Sequence, residues 1–125
     1  MIQNNPALRF PLLLATLLAL SACATAPTQQ GALVVGQQAA LEGEVVSVDT
    51  NPWAYDGNAV VTLSTIEAGT VSVQLPARWN LCKAQPLGDV QALKPRDRVQ
   101  VVGTATAPNE MVVCGQPEDR LRKRE

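Results

Sequence analysis

The stretch Thr70-Val-Ser-Val-Gln-Leu75 alternates polar and apolar residues without a break. A period of two belongs to a strand with one wet face and one buried face, so Val71, Val73 and Leu75 point inward and Thr70, Ser72 and Gln74 outward. Pro76 ends the strand, because proline cannot donate to a ladder. The same texture recurs along the chain. Residues 40–48, 59–65, 98–105 and 110–114 are rich in β-branched residues, and turn-forming clusters separate them. Those clusters are Asp49 to Asn58, Glu67-Ala-Gly69, Lys94-Pro-Arg-Asp97 and Ala107-Pro-Asn109. In the first strand Leu41, Gly43 and Val45 share one parity and Val46 and Val48 the other, which predicts a bulge or a residue buried on both sides, as where a strand bends to serve two faces of a barrel. Residues 77–93 lose the pattern, with Pro86 and Gly88 breaking it, and allow only one or two short helical turns. The expectation is an all-β fold of five strands.

Five short strands with an irregular segment between the third and fourth resemble an OB-fold, a small Greek-key barrel. The resemblance covers residues 40–114. Its most telling part is Leu93-Lys-Pro-Arg-Asp-Arg-Val-Gln-Val-Val-Gly103, similar to the G-D-x-V-x-V-x-G entry to the fourth strand in many OB domains. Arg96 stands where glycine is common. OB domains bind ligands across strands two and three and through the loops joining strands one to two and four to five. The resemblance therefore draws attention to Thr62 and Ser64, to the outward residues of strand three, and to the loops that carry Asn58 and Asn109.

The N-terminus reads as an export signal. Residues 1–9 are polar with the single cation Arg9, and an apolar run follows from Phe10 to Leu20. That run is about half the ~20 residues needed to span a bilayer as a helix. Leu20-Ser21-Ala22-Cys23 resembles the lipobox of bacterial lipoproteins, which implies cleavage before Cys23 and acylation of its sulfur. Several acyl chains would hold the protein to a membrane, at roughly 0.8 kcal/mol per buried methylene. In such lipoproteins an aspartate after the cysteine favours inner-membrane retention. Ala24 occupies that place, and the implied address is the outer membrane, facing the periplasm.

This reading divides the chain into a signal peptide (1–22), a lipidated cysteine with a flexible spacer (23–38), a barrel domain (39–116) and a charged C-terminal tail (117–125). Removing 22 of 125 residues leaves 103, enough for one small domain. With Cys23 assigned to lipid, Cys82 and Cys114 have a single possible pairing in a compartment where disulfides persist. Such a bridge stabilises by roughly 3 kcal/mol in the chain-entropy model. A redox pair is disfavoured, because the two cysteines lack C-x-x-C spacing.

Composition narrows the function. The processed chain would carry nine Lys and Arg against eleven Asp and Glu, and strands two and three offer no outward aromatics. A single-stranded nucleic acid needs both a cationic groove and stacking rings, so nucleic-acid binding is not expected. The chain contains no histidine, which removes Ser-His-Asp triads, Cys-His pairs and imidazole metal sites. Asp56 and Asp97 sit in turns that account for them without general acid-base work. No enzyme activity, cofactor or metal is expected. Asp49, Asn51, Asp56 and Asn58 supply oxygen ligands, but at no EF-hand spacing.

Trp53 and Tyr55 are two of the three aromatics that would remain after cleavage, the third being Trp79. They have two alternative roles: closing an end of the barrel, or standing exposed as an anchor for a partner protein or glycan. Trp79, near Cys82, is expected to pack against the disulfide. The tail Pro117-Glu-Asp-Arg-Leu-Arg-Lys-Arg-Glu125 reads as a solvated terminus, or alternatively as a basic patch for an anionic surface. The expectation is a non-catalytic adaptor lipoprotein, held to the membrane through Cys23, that contacts another envelope protein. The candidate contacts are Trp53, Tyr55, Asn58 and Asn109. The alternative is a small-ligand module for a cation or a glycan, resembling periplasmic bacterial OB-fold proteins.

Overall fold

The computed structural model describes residues 33–125. The lipobox and Cys23 lie outside the described residues. Six strands form the domain: β1 (Gln38–Asp49), β2 (Ala59–Thr65), β3 (Gly69–Leu75), β4 (Arg98–Ala107), β5 (Glu110–Val112) and β6 (Arg120–Lys123). Their order is β1-β2-β3-β5-β4-β6, with β1 also paired to β4, and this extra pairing closes five strands into an OB-like barrel. All pairings are antiparallel except β3 with β5.

Closure depends on one long strand serving two neighbours. The first half of β1, through Glu44, pairs with β4, and its second half, from Gly43, pairs with β2. Gly43 lies opposite both Thr65 and Val99. A Cβ there would come within 2.6 Å of the Ser64 carbonyl oxygen, so only glycine allows the sharp approach. The register then slips between Val45 and Ser47, so of the two readings of the parity switch the structure takes the bulge. Val45 is buried, Val46 is turned outward, and Val48 packs partly against the core. The Lys94–Asp97 turn clamps this bend: Arg96 N donates to Val45 O at 2.7 Å, and Val45 N donates to Asp97 O at 2.8 Å.

Inward residues of every strand meet in one core. Leu41, Val61, Leu63, Val71, Val73, Val99, Val101 and Met111 are all buried there. Between β3 and β4 there is no full helix, only the 3-10 turns Trp79–Leu81 and Val90–Ala92. Val90 drops into the core. The segment is fastened by the Cys82–Cys114 disulfide, with Cα atoms 4.6 Å apart. Lys83 N and Ala84 N also donate to Cys114 O at 2.9 and 3.1 Å. Trp79 packs partly buried against the core.

Three boundaries differ from the expectation. The spacer ends earlier than residue 38: Leu33 is buried, and Gly36 N donates to Ala105 O at 2.8 Å. Strand five stops at Val112 rather than Cys114, because the Asp119 carboxylate takes the Cys114 and Gln116 N–H groups at 3.1 and 3.2 Å and turns the chain away. The charged tail 117–125 is not a solvated end. Its residues 120–123 form β6 on the stretch of β4 that β5 leaves uncovered, and Leu121 is buried opposite Val101. A single leucine among charges gave no periodic signal, whereas an unsatisfied β4 edge beside the core supplies a strong one.

Candidate binding face

The outer face of β2 and β3 carries Thr62, Ser64, Thr70, Ser72 and Gln74, as the alternation predicts, with Thr62 opposite Ser72 and Val60 opposite Gln74. The parallel register of β5 sets Glu110 beside Ser72, and β4 adds Thr106. Side chains then form a chain from the residue before β2 across β3, β5 and β4. Asn58 Nδ2 donates to Gln74 Oε1 at 3.4 Å, Gln74 Nε2 donates to Glu110 Oε2 at 3.2 Å, and Thr106 Oγ1 donates to Glu110 Oε1 at 2.8 Å. Asn109 adjoins this strip through its backbone, where its carbonyl accepts from Ser72 N at 2.9 Å. The structure thus places the Asn58 side chain and the Asn109 backbone beside one strip. Glu110 and Thr106 were not singled out from sequence, although both have outward parity beside inward Met111 and Ala105. Glu110 is the only charge in the strip.

The β1–β2 loop separates its two aromatics. Residues Asn51–Tyr55 form a 3-10 turn with Pro52 in its first turn, where a fixed φ is favourable. Trp53 folds inward against the core, and its Nε1 donates to Leu75 O at 2.9 Å, which satisfies the indole N–H at the end of β3. Tyr55 points outward and is 76% exposed. Asp56 closes the turn in the left-handed region, with φ of 66°. Arg78 Nη2 and Nε then reach Asp56 Oδ2 at 2.8 and 3.0 Å. That hydrogen bond, reinforced by the guanidinium charge, holds the Asp56 carboxyl below its ordinary pKa and Arg78 above its own. Both groups are exposed, so the pair fixes geometry more than it stabilises the fold.

The ion pair draws the Tyr55 turn toward the turn Trp79–Leu81, whose Leu81 is 70% exposed. Of the four oxygen-bearing loop residues, Asp49 accepts from Asn51 N at 3.0 Å, Asp56 holds Arg78, and Asn58 joins the Gln74 strip. Local bonds thus engage one oxygen each of Asp49 and Asp56, while Asn51 takes part through its backbone N–H and Asn58 through its Nδ2. Among the described residues no set of three or more His, Cys, Asp or Glu is placed to hold a metal ion. Two grooves lie elsewhere. One of about 500 Å³ runs between segment 86–93 and β6, and one of about 460 Å³ is lined by Glu42, Glu44, Glu67 and Arg98. Neither includes Trp53 or Tyr55 in its lining.

Fold and face together define an OB-like barrel with a polar strip built around one carboxylate, Glu110, and with Tyr55 and Leu81 exposed on two short turns. No protein-family model, curated protein or solved structure matches the chain.

Proposed function

We propose that this is a lipid-anchored periplasmic lipoprotein, tethered through Cys23, whose barrel is a non-catalytic adaptor contacting another envelope protein. The observation that carries the adaptor reading is that Tyr55 and Leu81 are each exposed on a short turn, the two turns being joined by Asp56 and Arg78. Large apolar side chains held on rigid turns suit a protein interface, because little side-chain freedom is lost on docking. The strip from Asn58 to Thr106 already spends its polar groups on one another, which favours surface recognition over capture of a small cation or glycan. The membrane address rests on the Leu20-Ser21-Ala22-Cys23 sequence.

The test is a crosslinking pull-down from membranes with the full-length chain. A single envelope protein is expected to co-purify, and Tyr55→Ala and Leu81→Ser are each expected to reduce its recovery at least tenfold with an unchanged melting temperature. Cys23→Ala should move the protein from the membrane to the soluble fraction. Equal recovery by both surface variants, or a thermal shift with calcium or a cell-wall glycan that needs no partner, overturns the adaptor reading. Retention of Cys23→Ala in the membrane overturns the anchor.

A further inference from the structure

β6 is an edge strand whose outer side is chemically open. Arg124 N donates to Arg98 O at 2.7 Å, and Arg122 and Arg120 lie opposite Gln100 and Val102. Bonded and non-bonded pairs alternate along an antiparallel ladder. Residues 120 and 122 therefore aim their backbone groups at β4, while Leu121 and Lys123 aim theirs away from it. Among the described residues no backbone partner lies on that side. The open edge lines the groove of about 500 Å³, whose remaining lining includes Leu87, Val90 and Leu93. That volume lies within the range of ligand-binding clefts, roughly 300–1,000 Å³.

The charge on the strand decides what can enter. Arg124 pairs with Glu42 at 2.6 Å, Lys123 with Asp97 at 3.6 Å, and Arg120 Nε donates to Gln100 Oε1 at 3.2 Å. Arg122 is exposed and lies at the groove, with no salt bridge to a described carboxylate. A second copy of β6 would set like charges against one another, one of the ways edge strands avoid self-pairing. An acidic strand meets the opposite situation. The geometry points to a strand-addition site: β6 accepts an extended acidic peptide segment of a partner protein, bonded to the N–H and C=O groups of Leu121 and Lys123, with a carboxylate beside Arg122. Main-chain bonds supply affinity and the charge supplies selectivity in this mode of recognition. The site is separate from the Tyr55 and Leu81 surface, so its test stands or falls independently.

The experiment uses the full chain and three labelled eight-residue peptides. One alternates valine and glutamate, one alternates valine and lysine, and one is the glutamate peptide N-methylated at alternate residues so that one bonding edge is blocked. Binding is read by fluorescence anisotropy, and hydrogen exchange of the Leu121 and Lys123 amides is read by NMR. The glutamate peptide should bind at least tenfold more tightly than the other two and should slow exchange at both amides. Lys123→Pro removes a groove-facing donor while keeping the bonds to β4, and proline is tolerated at such edge positions. It should weaken the glutamate peptide at least tenfold with the melting temperature within a few degrees of wild type. Arg122→Glu should reverse the preference between the glutamate and lysine peptides. Equal binding of the methylated peptide, unchanged amide exchange, or an Arg122→Glu loss seen only with phosphatidylglycerol vesicles overturns the site, the last outcome assigning the basic edge to a membrane surface instead.

Discussion

Gln38 at the start of β1 donates its side-chain N–H to Asp119 Oδ1 at 2.9 Å, across 81 positions of sequence. Asp119 is fully buried, and its other oxygen accepts from Cys114 N and Gln116 N. One carboxylate thus fastens the beginning of the barrel to the loop that launches β6.

Replacing that carboxylate leaves three donors without their acceptor. Asp119→Ala is expected to cost about 2 kcal/mol in urea unfolding, since hydrogen bonds to a charged acceptor are lost while the donors are only partly buried and can turn to water. Hydrogen exchange should localise part of the loss to β6, where protection of the Arg122 and Arg124 amides should fall. A uniform loss across β1 to β3 with β6 unaffected would contradict this account.

Arg96 holds a left-handed backbone, with φ of 78°, in the turn that clamps the β1 bulge. A side chain pays roughly 1–2 kcal/mol for that conformation, partly offset in glycine by the freedom of its unfolded chain. Arg96→Gly should therefore stabilise the protein by about 1 kcal/mol, whereas Arg96→Ala, which keeps a Cβ, should change stability little. Chemical denaturation of the two variants in parallel separates backbone strain from loss of the guanidinium.

Trp53 and Tyr55 should part company on mutation. Trp53→Ala removes core packing and the bond to Leu75 O, and is expected to cost about 3 kcal/mol. Tyr55→Ala removes an exposed ring and should stay within about 0.5 kcal/mol of wild type. Thermal melts decide this, and they determine which variant is a clean probe of partner binding.

The contact between Asp56 and Arg78 should respond to acid. Hydrogen bonding to Arg78 lowers the carboxyl's pKa in the folded state, so the contact's contribution is complete above the unfolded value of ~3.9 and is lost as pH falls through the lowered folded value. Lowering the pH through that depressed folded value should loosen the Tyr55 turn from the Leu81 turn, as seen in Tyr55 and Leu81 NMR shifts. Asp56→Asn should show the loosened shifts at neutral pH and no further step in acid.

Alternation in residues 59–65, 70–75 and 98–105 by itself determined the strands, their inward faces and the all-β class, because a period of two is a local property of the backbone. The parity switch at Val45 and Val46 located an irregularity for the same reason, and the register against β2 made it a bulge. Elimination among three cysteines, with Cys23 read as the lipid site, gave the pairing of Cys82 with Cys114. Only the tertiary structure decided what depends on neighbours distant in sequence. The free stretch of β4 made a strand of Arg120-Leu-Arg-Lys123, the Leu75 carbonyl drew Trp53 inward and left Tyr55 outside, and closure of β3 against β5 put Glu110 beside Gln74. None of these has a local signature, since each residue's state is set by an unfilled bond or an uncovered core that another part of the chain presents.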